Sequence, residues 1–281
     1  MGALCHRLFV ASKGMRSEGE YQRAVELIRA GVNDCEVGRR LAIPRSTIRD
    51  WRVGLAANSL GRTRYSSLGR TKYSSVRQGS TCFRCEGDGV NEEAYAYLLG
   101  VYLGDGWLSS HPRGVYRLRI ACDLKYTAII DEIATRIVIV RGVDKIGFAA
   151  RAGCVEVYAF WKHWPCVFPQ HGPGRKHERL IALTPWQKEI VASQPKALVR
   201  GLIHSDGNRH VNDVERQLRS GTHRYQYPRY MFTNVSTDIL EIFTGALDLL
   251  GVHWTRTTAR DISVARRRDV AFLDTFIGPK S

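Results

Sequence analysis

Apolar and polar positions along this chain change period several times, and the changes mark out one order of elements that occurs twice. Leu98, Leu99, Gly100, Val101, Tyr102 and Leu103 form an apolar run that ends in Gly104-Asp105-Gly106. Val199, Arg200, Gly201, Leu202, Ile203 and His204 form a second, ending in Ser205-Asp206-Gly207. Such runs predict buried helices, each closed by a glycine at a position suited to positive φ. After the first run, Tyr116, Leu118 and Ile120 alternate with Arg117, Arg119 and Ala121. This alternation predicts a hairpin over 107–123, turning at His111-Pro112-Arg113-Gly114, with both arginines on the face away from the apolar set. A helix over 126–140, strands over 145–149 and 154–160, and a short helix from Pro185 follow. The second half predicts a hairpin from 208–216 and 225–234 around a basic turn at 219–224. A helix over 237–250, strands over 252–258 and 261–265, and a last helix over 267–277 complete it.

Shared landmarks support a duplication. Gly142-Val143 matches Gly251-Val252, Val155-Glu156-Val157 matches Ile262-Ser263-Val264, and Gly172-Pro173 matches Gly278-Pro279.

Small residues say how the two apolar helices meet. Gly100 and Gly104, like Gly201 and Ser205, lie four apart on one helical face, so two backbones can approach closely there. Asp105 and Asp206 occupy last turns, where the negative end of the helix dipole disfavours an acid. The same misplacement in both frames points to function. Paired helices bring the two carboxylates together, and like charges repel unless a divalent cation sits between them. Carboxylate oxygens, water and phosphate suit Mg2+.

With these two motifs the chain resembles the LAGLIDADG homing endonucleases in their two-motif, single-chain form, over roughly residues 92–281. The resemblance implies two αββαββα halves about a pseudo-twofold axis, the motif helices at their interface and two sheets forming a saddle over the DNA major groove. It also implies eighth-position acids, here Asp105 and Asp206, that bind the metals and cut both strands. The sequence departs from the family at the sixth position, where Leu103 and His204 replace the usual Asp. Arg200 is too polar for a helix seam and is expected to face outward. Lys125, Arg266, Arg267 and Lys280 are candidates to hold the scissile phosphates.

Upstream, Tyr21, Ala24, Val25 and Ile28 have helical spacing and Gly31 stops the helix. Asn33 offers an N-cap with Glu36 three residues on, as in a capping box. Ile43-Pro44 breaks this second helix, and a third runs through Arg45 to Trp51. The stretch 20–53 resembles the tri-helical, helix-turn-helix DNA-binding units of bacterial regulators and recombinases. In that reading Ile48 and Trp51 pack inward, while Arg45, Ser46, Thr47, Arg49 and Arg52 meet phosphates and base edges. Arg117 and Arg119 are the corresponding candidates on the first sheet, where Arg can read guanine.

Residues 1–16 read as a poorly ordered start. Residues 59–66 and 67–74 read SLGRTRYS and SLGRTKYS, a tandem repeat with too little apolar bulk for a core. Cys82-Phe83-Arg84-Cys85 is half of a zinc knuckle. No second CxxC follows, and Cys122, Cys154, Cys166, His163 and His171 could complete it only through tertiary folding, so structural Zn2+ is the less favoured reading.

The expected fold class is therefore α+β: an all-α helix-turn-helix domain over 17–54, a basic linker with the CxxC over 55–91, and a duplicated LAGLIDADG-like core with halves at 92–194 and 195–281. A formal charge of +15 over 281 residues favours a polyanion, with double-stranded DNA the default. No apolar run of about 18 residues occurs, so no membrane partner is expected. Without an export signal, the seven Cys read as reduced thiols in a cytoplasm, that of a bacterium with the protein on its nucleoid. The reading is a site-specific DNA-binding protein that hydrolyses phosphodiester bonds with a divalent metal, monomeric through internal symmetry. Its alternative is a helix-turn-helix transcriptional regulator that keeps the same fold only to bind DNA.

Overall fold

A computed structural model describes residues 18–49, 51–52, 82–87, 89–142, 145–151, 154–218, 221–278 and 280. The expected poorly ordered start and the tandem repeat lie outside the described residues.

Among the described residues the first elements are α1 (Glu18–Arg29), α2 (Asp34–Leu41) and helical residues 45–49 and 51–52, together labelled α3. Gly31 at φ +82° ends the first. Asn33 caps the second by accepting from the Glu36 N–H at 3.0 Å. Half of the expected capping box forms, because the Glu36 carboxylate turns to Arg39 and Arg40 instead. Ala24, Ile28, Val37, Ile43 and Ile48 make a core of their own, separate from that of the rest of the chain.

The main body opens with a single turn, α4 (Phe83–Glu86), then α5 (Glu92–Asp105), capped by Asn91. Strands β1 (Gly106–His111) and β2 (Val115–Asp123) follow, then α6 (Thr127–Arg141), β3 (Gly147–Arg151) and β4 (Cys154–Trp161). The one-turn α7 (Trp164–Val167) and α8 (Pro185–Ser193) lead to α9 (Pro195–Asp206). The same sequence then recurs as β5 (Gly207–Leu218), β6 (Gly221–Thr233), α10 (Thr237–Leu249), β7 (Thr255–Arg256), β8 (Asp261–Val264) and α11 (Arg267–Ile277). Both antiparallel sheets have one topology, β1-β2-β4-β3 and β5-β6-β8-β7. The mixed helix and sheet class and the twice-repeated αββαββ order are as expected.

The hairpin of the second half differs from expectation. Pairing runs from Gly207↔Phe232 to Leu218↔Gly221, so most of the expected basic turn is strand. Pro228 fits within β6 because β8 pairs only with 230–233, leaving that proline on an open edge. Strand β7 is only two residues long.

Helix α5 is buried nearly all round, as a helix at the centre of a body must be. Its partner is α9, and the seam is glycine. A Cβ on Gly100 would lie 2.5 Å from the Leu198 carbonyl oxygen and 2.8 Å from the Leu202 nitrogen. A Cβ on Gly201 would fall on the Tyr97 carbonyl oxygen. The helices thus touch backbone to backbone and carry the two sheets on either side. No helix among the described residues is long and apolar enough to cross a membrane.

Candidate active site

The close approach at Gly100 and Gly201 forces the ends of α5 and α9 together. Gly104 faces Ser205 and Asp206 directly, with a Cβ there only 2.9 Å from the Asp206 Oδ2. Asp105 and Asp206 are therefore neighbours at the foot of the pair. Surrounding protein pushes the Asp105 carboxyl up to about 6, and the negative charge of Asp206 adds to the push. Asp206 is raised as well, by burial, against an opposing bond from the Asn234 amide at 2.7 Å. Asn234 is itself fixed, since its Oδ1 accepts from the Ser236 N–H.

The glycines after each acid serve a purpose other than the expected one. Gly106 and Gly207 have φ of −82° and −99°, in the ordinary extended region. A Cβ at Gly106 would lie 2.5 Å from the Tyr102 Cα, and one at Gly207 would lie 2.7 Å from the Ile203 Cα. The chain turns from helix to strand so sharply that only hydrogen fits.

Two lysines answer the helix-end problem. Lys176 Nζ donates to the carbonyls of Tyr102, Leu103 and Gly104, the last two at 3.0 Å. Lys280 Nζ donates to those of Ile203, Ser205 and Gly207, the latter two at 3.0 and 2.7 Å. Each lysine follows the Gly-Pro landmark of its own half and closes the last turn of its own motif helix. Burial lowers Lys176 to about 8 and lowers Lys280, while both acids pull the other way. A cleft of about 370 Å3 opens here, lined among others by Asp105, Cys122, Asp123, Tyr126, Ser205 and Lys280.

Sequence reasoning had Lys280 among four candidates and missed Lys176. Lys280 follows Pro279 directly, whereas Lys176 comes three residues after Pro173, so the shared Gly-Pro landmark does not by itself mark it. Of the other candidates, Lys125 pairs with Asp123 at 3.1 Å, and Arg266 and Arg267 are exposed at the start of α11.

The expectation that Arg200 faces outward is not met. It donates to the Phe276 carbonyl at 3.0 Å and to Glu132 at 2.7 Å, tying α9 to α11 and α6. His204 is buried between Tyr97 and α11. Its Nε2 lies 3.0 Å from the Ile277 carbonyl, which can only accept, so Nε2 carries the proton and Nδ1 accepts from the Tyr97 hydroxyl at 2.9 Å. Burial holds this imidazole down at about 4, in the neutral form that geometry requires.

Arg117 and Arg119 stand on the sheet face opposite buried Leu118 and Ile120. Trp107, Tyr158 and Phe160 share that face by register. Arg117 lies 4.0 Å over the Tyr158 ring and 3.6 Å from Glu156. In the N-terminal unit Arg45, Ser46 and Arg49 are exposed and Thr47 is half-buried. Arg52 is instead held by Asp34 at 2.6 Å and by the Val32 carbonyl.

The Cys and His candidates divide. Cys82, Cys85, His163 and Cys166 converge, with one ligand atom from each lying within 4.8 Å of the others. Cys122 lies in the cleft, and His171 packs edge-on against Tyr116, so neither joins them.

No family model matches this sequence, and no curated relative does. Among solved structures, the chain is similar to mesophilic variants of the homing endonuclease I-DmoI, at 18% identity and a TM-score of 0.44, over 67% of this chain and 97% of that one. It is also similar to the LAGLIDADG meganuclease I-AabMI bound to uncleaved DNA (12%, 0.42, 65% and 82%). A third similar structure is the homing endonuclease I-WcaI bound to its DNA recognition sequence (12%, 0.44, 70% and 86%).

Proposed function

We propose that this chain is a LAGLIDADG-type endonuclease that binds a specific double-stranded DNA site and hydrolyses a phosphodiester bond in each strand. The observation that carries the reading is the pairing of Asp105 with Asp206, each beside its own helix-closing lysine, where two glycine-seamed helices end between two sheets of the same topology.

The donor set fits a divalent metal. Among the described residues no hydrogen bond reaches the Asp105 carboxylate, and Asp206 receives one, from Asn234. Hard oxygen donors thus remain beside a cleft wide enough for water, which suits Mg2+. A bound metal would activate water and stabilise the leaving oxygen. The chain's own groups do the rest. Lys176 and Lys280, held by backbone carbonyls at the same helix ends as the acids, would place positive charge where a phosphate gains negative charge. Asn234 keeps Asp206 in orientation.

Duplex DNA would lie across the sheet faces that carry Arg117 and Arg119. The internal symmetry supplies two cutting centres in one chain, so a monomer suffices. The N-terminal unit acts as a helix-turn-helix that adds affinity through a tether, with Arg45, Ser46, Thr47 and Arg49 on the DNA.

The test is selection of bound duplexes from a random pool, then incubation with Mg2+. Double-strand cleavage is expected, abolished by Asp105→Asn or Asp206→Asn with binding retained. Tight selective binding without cleavage under Mg2+, Mn2+ or Ca2+ would overturn the nuclease and leave the transcriptional regulator.

A further inference from the structure

We propose that Cys82, Cys85, His163 and Cys166 form a structural Zn2+ site that clamps the entry of the main body to the loop after β4. Two short segments build it, and they are alike. Cys82 precedes α4 and Cys85 lies within it; His163 precedes α7 and Cys166 lies within it. In each, the N–H of the second ligand bonds the carbonyl of the first, Cys85 to Cys82 at 2.9 Å and Cys166 to His163 at 3.0 Å. Each turn therefore points two ligand atoms the same way, and the turns face one another.

The spacing fits a tetrahedron. Zn–S bonds of about 2.3 Å and Zn–N bonds of about 2.0–2.1 Å give edges of about 3.8 Å between sulfurs and about 3.5 Å between sulfur and nitrogen. Cys85 Sγ lies 3.8 Å from Cys166 Sγ and 3.5 Å from His163 Nδ1, and Cys166 Sγ lies 4.0 Å from that nitrogen. Three sulfurs and one imidazole nitrogen make a closed, structural set, chemically unlike the oxygen donors of the cleft.

Both turns are anchored before any metal arrives. Phe83 packs edge-on against Tyr95 and Trp186, and the buried Trp164 indole donates to the Ala159 carbonyl at 3.0 Å. The ligands lie 81 positions apart from Cys85 to Cys166, so the ion would close a long loop. On binding, three thiol protons pass to solvent as three Zn–S bonds form.

The test uses the full chain, expressed with added Zn2+ and purified without chelator. About one zinc per chain is expected by elemental analysis, retained in Cys35→Ser and in an Asp105→Asn, Asp206→Asn double variant, and lost in Cys85→Ser and Cys166→Ser. Retention in the double variant separates this site from the nuclease reading. Wild-type protein stripped and refilled with Co2+ should show the visible bands of tetrahedral cobalt with thiolate charge transfer, a readout that needs no variant to fold. Folded wild-type protein with neither zinc nor that spectrum, or a disulfide among Cys82, Cys85 and Cys166, would overturn the proposal.

Discussion

Under the proposed function, Lys176 and Lys280 serve stability and chemistry together. Each donates to three carbonyls at the end of a motif helix, and the charges of both acids act on each. Replacing either with Met should cost about 10² in single-turnover cleavage rate, the size of loss seen when one preorganised donor is removed, with DNA binding little changed. Equal rates for wild type and Lys176→Met would remove that lysine from the chemistry. Asp105 carries a pH signature. Its folded value is raised to about 6, so its contribution to stability is complete below its ordinary value and is lost as pH climbs through about 6. Metal-free protein should therefore lose that contribution between pH 4 and pH 7, and Asp105→Asn should flatten this part of the melting-temperature profile. The acids were legible in the sequence because they broke a local rule twice. Asn234 and Lys176 were not, because nothing local marks an amide after a strand or a lysine in a loop. The glycines after the acids were legible as glycines, but the cause lies in three dimensions, where Tyr102 and Ile203 leave no room.

Helices α5 and α9 are the element pair on which the body depends. Helix existence and order could be read from apolar runs, and glycine at four-residue spacing announced the close seam. Gly201→Ala should destabilise by about 3 kcal/mol or more, since the obstacle is backbone rather than a movable side chain. A fall in melting temperature of about 2–4 °C per kcal/mol is the expected reading, and a neutral Gly201→Ala would mean that the helices stand further apart. Strand ends were less legible. Residues 219–224 look like a turn by composition, yet the ladder runs on to Leu218↔Gly221, because cross-strand pairs such as Asp213 with Arg224 and Asn212 with Tyr227 sustain it. Zinc ligands were half visible. Cys82 and Cys85 share a local turn, but His163 and Cys166 come close only when α7 docks.

For the whole molecule, charge and architecture point one way. A surplus of +15 covers a body with two sheets and a separate three-helix unit with its own core. If that unit grips phosphates, Arg45→Ala with Arg49→Ala in the full chain should weaken DNA binding and lower the slope of log affinity against log salt by about two. An unchanged slope would remove the unit from the interface. Arg52 is left out of that variant, since Asp34 holds it within the fold.

The two hairpins differ in reach, although their sheets share a topology. Strand β1 has 6 residues and β5 has 12, which at about 3.3 Å per residue gives spans of about 20 Å and about 40 Å. Set against a rise of about 3.4 Å per base pair, the first arm is as long as about six steps of a groove and the second as about twelve. If duplex DNA lies along these arms as proposed, its recognition sequence is expected to be lopsided: no palindrome, a longer half-site under β5 and β6, and therefore one fixed direction of docking.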